Sequence, residues 1–342
     1  MPDVFDEEAF AKVRRQRAES AEHTENLPLS VRVAGGIMLA NGILQLVLQT
    51  IESASADATT LAGPWTASFD IVVGGVLLSN QPQVWHWARV RVVLLGAALA
   101  LLHLLLGQAF DASLQLCFCA GLFLLLGRGA APARLTAGIA TSVIAIVLAL
   151  FSAGPFLGWT NPFGRLRGRL NGELGDERAF LVGSAVGYHL DLSPGHWHTL
   201  HLPDDENDAA ETPRPASGPR YEISPAVRRP EVLVDLRLFA LQAPPDAFFD
   251  ESEVMTTLVN DARDNLPEFL VTEDEWHEGA YGPTRVLEGQ ARIDGQRAAV
   301  AVGLKVDGAC VFMLIGTSPA RMYDRVRDDV LEIYRSLQAT GC

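Results

Sequence analysis

Lysine is almost missing from these 342 residues: Lys12 and Lys305 are the only two, set against abundant arginine, a bias of GC-rich bacterial genomes. Cysteine is scarce too, with four in all. Cys117 and Cys119 fall inside an apolar run, where a thiol acts as a small hydrophobe. Cys310 falls in an expected strand and Cys342 at the last residue; a disulfide between them is geometrically allowed but demanded by no spacing rule. An apolar leader is also lacking, because Met1 to Leu27 is charged throughout, so membrane insertion would rely on an internal segment. Finally, no catalytic signature is present. Gly183-Ser184-Ala185-Val186-Gly187 has the wrong spacing for a nucleophile elbow, and there is no H-E-x-x-H, Walker loop or Rossmann glycine set. No catalytic residue and no cofactor can be assigned on that basis.

What is present divides in two. Residues 1–175 carry 12 acidic and 12 basic groups, whereas 176–342 carry 29 acidic and 15 basic, so the net charge of −14 sits on the second part. Such a surface repels phosphate backbones and anionic headgroups, which argues against nucleic-acid binding and favours a neutral or cationic partner, or simple solubility. The acidic groups Asp204/Asp205, Glu273/Asp274/Glu275 and Asp328/Asp329 read as solvated surface.

The first part reads as a cytoplasmic tail (1–29) and an all-α transmembrane module (30–154). Five spans are expected at 31–51, 65–79, 84–106, 112–127 and 135–153. Twenty-one residues at 1.5 Å each suffice to cross a hydrocarbon core of about 30 Å. The lipid bilayer is thus the first expected partner. Asn41, Gln45 and Gln49 recur every four residues, placing three amides on one polar helix face that neighbouring helices can satisfy. Trp85, Trp87, Arg89 and Arg91 read as an aromatic and basic collar anchoring the third span at the interface. The segment Gln83-Val84-Trp85-His86-Trp87-Ala88-Arg89 resembles the turn between spans two and three of many small bacterial membrane proteins, which implies membrane residence and no reaction. His103 and Asp70 are the ionisable groups nearest the apolar interior, and a lone His is no proton relay by itself.

With five spans, the basic tail and the turns carrying Arg89/Arg91 and Arg128/Arg134 fall on the cytoplasmic side. The loops 52–70 and 108–111, free of Lys and Arg, then fall outside. The chain is thereby expected in the bacterial inner membrane with a periplasmic C-terminal domain. Arg165, Arg167 and Arg169, close after the fifth span, argue for the opposite orientation unless headgroups or the acidic domain take them up.

After a linker (155–183) the period changes from helical to alternating, defining a soluble domain at 184–342 with a polar, proline-broken insertion at 203–219. Tyr188–Leu192, the Ser193-Pro194-Gly195 turn and His196–Leu202 read as a hairpin. Glu231–Leu241 is a strand and Phe249–Asn265 a helix. A meander follows, its turns marked by Asp294-Gly295 and Asp307-Gly308. The closing helix, Ser318–Leu337, is expected to use a Ser318 cap with Pro319 in its first turn. The opening Leu190-Asp191-Leu192-Ser193-Pro194-Gly195-His196-Trp197 with this element order resembles the Mog1/PsbP/DcrB-like domains over Ser184 to Gln338. The resemblance implies an α+β fold, an α/β/α sandwich with an antiparallel sheet. It also implies binding or assembly factors without a shared catalytic set, such as one acting on another envelope protein.

His189, His196, His198 and His201 cluster around the expected hairpin near Asp191, Asp204 and Asp205, and imidazole with carboxylate suits zinc. Three functions follow for testing: a non-enzymatic binding or assembly accessory at the cell envelope, a metal-dependent hydrolase using the histidines, and a small transporter.

Overall fold

The computed structural model describes residues 27–53, 62–81, 83–127, 131–201, 219–244, 250–293, 296–340 and 342. The charged tail before Leu27, the turn with Arg128 and the acidic insertion lie outside the described residues.

Five apolar helices come first: α1 (Leu29–Ser53), α2 (Ala62–Leu78), α3 (Val84–Leu105), α4 (Ala109–Leu125) and α5 (Pro132–Ser152). Among the described residues, α1, α3 and α5 are long and apolar enough to cross a membrane; α2 and α4 are shorter apolar helices. Small residues let α1 and α2 touch backbone to backbone. A methyl on Gly74 would lie 2.6 Å from the Gly35 carbonyl, whereas one on Gly75 meets nothing within 4 Å. The bundle interior holds Val31, Met38, Leu77, Val92, Leu122 and Leu125. Ile43, Val47, Leu94, Leu101, Leu105 and Ile144 face outward and are exposed.

The segment read as a linker is folded. A 3-10 turn (Gly154–Leu157) and a short helix α6 (Gly164–Leu170) are followed by β1 (Leu174–Arg178) and β2 (Phe180–Val182), each of which joins a sheet. The remaining elements are β3 (Tyr188–Asp191), β4 (Trp197–Leu200), β5 (Arg220–Ile223), β6 (Val227–Arg229), β7 (Val234–Gln242), α7 (Glu251–Asn265), β8 (Leu270–Gly279), β9 (Gly282–Ile293), β10 (Gln296–Asp307), β11 (Cys310–Pro319), α8 (Ala320–Arg335) and β12 (Gln338–Ala339). An antiparallel sheet runs β1-β4-β6-β7-β11-β10-β9-β8 with β5 also on β7; a small one runs β12-β3-β2.

Strand alternation on β10 explains the layering. Val300, Val302 and Leu304 face α7, with Met255, Val259 and Ala262 opposite them. Ala301 lies in the other core with Val326, Val330 and Tyr334 of α8, and Gly303 makes room for the Tyr334 ring. The Tyr334 hydroxyl donates to the Ala301 carbonyl at 2.7 Å. Arg327 donates to both Glu288 oxygens (2.6 and 2.9 Å) and to Glu273, tying α8 to β9 and β8.

Two further sequence expectations are corrected. The hairpin between Tyr188–Leu192 and His196–Leu202 does not form: β3 pairs with β2 and β12, and β4 with β1 and β6. Both edges of β3 are already occupied, while Leu190, Leu192 and Trp197 all enter one core, so the Ser193-Pro194-Gly195 turn carries the chain from one sheet to the other. Gly195, at φ 123°, permits that crossing. Nor does Ser318 cap the closing helix. It is the penultimate residue of β11, Pro319 takes the cap position, and no side chain caps the helix. Cys310 and Cys342 form a disulfide, Cα atoms 5.6 Å apart, fastening the end of the chain to the start of β11.

Candidate functional site

The histidines do not converge. His189 stacks on Phe180 in the small sheet, with ring centroids 5.5 Å apart. His196 is exposed and its Nδ1 lies 2.6 Å from Glu177, which holds that carboxyl below its usual range through the hydrogen bond. His198 is buried, with Nδ1 3.3 Å from the Gly175 carbonyl, and His201 is exposed. Among the described residues, no three His, Cys, Asp or Glu side chains are grouped to hold a metal; Asp204 and Asp205 lie outside those residues.

A polar cluster does form inside the bundle. Asp70, fully buried, pairs with Arg91, Oδ1 to Nε at 2.6 Å, and Asn41 donates to its other oxygen at 3.3 Å. Arg91 therefore lies inward, not in the interfacial collar. It opens a π-helical stretch, Arg91–Leu95, within α3. The collar is split in other ways too: Trp85 is nearly buried and donates to the Leu126 carbonyl at 3.0 Å, Trp87 is exposed, and the Arg89 guanidinium lies over the rings of Trp85 and Phe123. Next to the ion pair, a cavity of about 170 Å3 is lined by Asn41, Gln45, His103, Asp111 and Gln115 among others. His103 Nδ1 lies 2.8 Å from Gln108 Oε1. The side chain of Gln49, third of the amide series, lies outside the described residues. A carboxylate and a guanidinium so far from water need each other, because removing either strands an uncompensated charge.

A larger space lies where the bundle meets the sheet. A cleft of about 610 Å3 is lined by Phe156, residues of α6, Arg228, Pro230 and Leu233, and by Ala298 and Thr317–Arg321 at the ends of β10 and β11 and the start of α8. α6 packs tightly there, since a methyl on Gly164 would clash with the Pro230 backbone. The Asn161 amide donates to the Glu231 carbonyl at 2.7 Å, and Arg165 pairs with the Glu231 carboxylate. Arg167 reaches the other way, 3.2 Å to Asp111 at the start of α4, and Asn171 accepts from the Phe110 amide at 3.0 Å. Two of the three arginines that opposed an exported domain thus have carboxylate partners; Arg169 is exposed.

Four arginines line the cleft: Arg167, Arg228, Arg297 and Arg321. Arg228 is gripped in bidentate fashion by Asp235 (2.5 and 2.6 Å), with Glu173 at 3.6 Å, so its guanidinium stays charged despite burial. The sequence hid this gathering because the four belong to α6, β6, β10 and α8. The one available signal was Pro319, which marks where a helix begins.

No protein family profile and no curated protein matches the chain. Among solved structures it is similar to cyanobacterial PsbP (CyanoP) from Synechocystis sp. PCC 6803, at 13% identity over 46% of this chain and 95% of that one, with a TM-score of 0.28. It is also similar to PA94 of Pseudomonas aeruginosa, a protein of unknown function, at 10% identity over 49% of this chain and 100% of that one, with a TM-score of 0.28. Neither likeness assigns a function.

Proposed function

We propose that this is a bacterial inner-membrane protein in which five spans anchor an exported α+β domain of the Mog1/PsbP kind. The domain serves as a non-enzymatic binding or assembly accessory at the envelope, and the junction cleft is its binding surface. The observation that carries the reading is the cleft itself: a large concave space bordered by the segment leaving the last span and lined by arginine. Export is supported by the pairing of Arg165 and Arg167, which takes up two of the charges counted against it. The Cys310–Cys342 disulfide is further support, since such bonds persist in oxidising compartments. The outward apolar side chains of α1, α3 and α5 suit a lipid surround.

Trapping thiols in growing cells tests this. Acid quenching followed by a mass-tagged maleimide should modify Cys117 and Cys119 alone in denatured, unreduced protein; modification of all four cysteines would contradict export.

The transporter reading is favoured by one observation, the amide- and histidine-lined cavity beside the Asp70–Arg91 pair. If that cavity conducts, Gln45→Leu with His103→Leu should abolish a proton leak measured in proteoliposomes of the full chain; with an anchoring bundle, wild type and variant are equally tight.

A further inference from the structure

We propose that the junction cleft holds a phosphate group of an anionic ligand, gripped by Arg297, Arg321, the Ser318 hydroxyl and the amino end of α8. This rests on the cleft being the binding surface and names the chemistry of what it binds. Three independent features meet there. First, α8 starts in the cleft with Pro319 at its cap position and no side-chain acceptor, so its leading N–H groups and its positive dipole end are left for an anion. Second, Ser318 is 4% exposed and its hydroxyl has no hydrogen-bond partner, an unusual state for a buried polar atom and one that a ligand oxygen would relieve. Third, Arg297 and Arg321 are exposed and have no carboxylate partner among the described residues, whereas Arg167 and Arg228 beside them are held by Asp111 and Asp235. Among the described residues, Glu173 is the one carboxylate in the lining; it accepts from Asn171 and stands 3.6 Å from Arg228.

In a region with 29 acidic and 15 basic residues, two free guanidiniums beside an uncapped helix start form a local reversal of charge. A tetrahedral oxyanion offers enough acceptors to engage both guanidiniums, the hydroxyl and backbone N–H groups together. Phe156, in the turn directly after α5, puts the cleft beside the last span. The phosphate could therefore belong to a lipid headgroup or to a soluble ligand.

The test uses the full purified chain in nanodiscs of phosphatidylcholine, with and without phosphatidylglycerol. One arm titrates inorganic phosphate calorimetrically in neutral nanodiscs; the other measures retained phosphatidylglycerol by mass spectrometry. Phosphate binding in the first arm assigns a soluble ligand, and lipid retention in the second without phosphate binding assigns a headgroup. In whichever arm binds, Arg297→Gln with Arg321→Gln should weaken binding about tenfold or more, the scale of one lost charge-assisted hydrogen bond. Arg220→Gln, on a distant exposed strand, should leave binding unchanged. Ser318→Ala should lower affinity while keeping or raising the thermal midpoint, an opposition that a merely structural hydroxyl does not give. Absence of binding in both arms, or binding indifferent to the arginine pair, overturns the proposal. Neither result depends on which side of the membrane the domain occupies, so failure here leaves export standing and failed export leaves phosphate binding intact.

Discussion

Lys305, one of only two lysines, is buried with its ammonium donating to the Tyr281 carbonyl (2.6 Å) and the Leu337 carbonyl (2.7 Å), so it joins the β8–β9 turn to the end of α8. Lys305→Met removes both bonds and strands two carbonyls, which should cost about 2 kcal/mol in thermal or denaturant unfolding. Burial pushes this ammonium below its ordinary value of 10.5. The unfolded chain then binds more protons in the window just under that value, so the group's contribution to stability rises with pH there, and the Met variant should lack that slope. Asp70 and Arg91 show the same logic in the bundle. Asp70→Leu alone should cost about 3–5 kcal/mol in detergent, and adding Arg91→Met should recover most of it, because the penalty lies in the stranded charge. Equal loss in single and double variants would mean that the pair itself stabilises the bundle. Arg91 was the hardest residue to read from sequence: an arginine beside tryptophans near a span end suits an interface, and only the approach of Asp70 from α2 turns it inward.

At the scale of elements, amphipathic and alternating periods were legible. The closing helix, with Met322, Val326, Val330, Ile333 and Tyr334 on one face, and the meander marked by Asp307-Gly308 stand where the pattern put them. Partner choice was not legible. β3 and β4 each look like half of a hairpin, yet pairing is settled by β1, β2, β6 and β12, whose short and partly polar segments carry little periodicity of their own. β1 and β2 were hidden in what read as linker for the same reason. Ser318 illustrates a local signal overridden: a serine before proline resembles a cap, but β11 runs two residues further than the cap rule allows. The two adjacent glycines of α2 differ in their surroundings: Gly74 lies against the Gly35 backbone, and Gly75 faces open space. Gly74→Leu should split α1 from α2 and lower the yield of folded protein, whereas Gly75→Leu should be tolerated; size-exclusion profiles in mild detergent check this.

Across the whole molecule, the acidic surface and the arginine cleft are complementary parts of one charge distribution. Composition alone pointed to a neutral or cationic partner; the fold collects arginines from four separate elements beside the segment that follows α5. Arg167 belongs to both sides, lining the cleft while pairing with Asp111, which also lines the bundle cavity. A cleft that faces outward from the membrane requires an odd number of spans before it. The most direct measurement is a pair of fusions at Cys342, one to a reporter active only in the periplasm and one to a reporter active only in the cytoplasm, each expressed at matched levels. Activity of the periplasmic fusion alone is the predicted result, and activity of the cytoplasmic fusion alone would contradict the account.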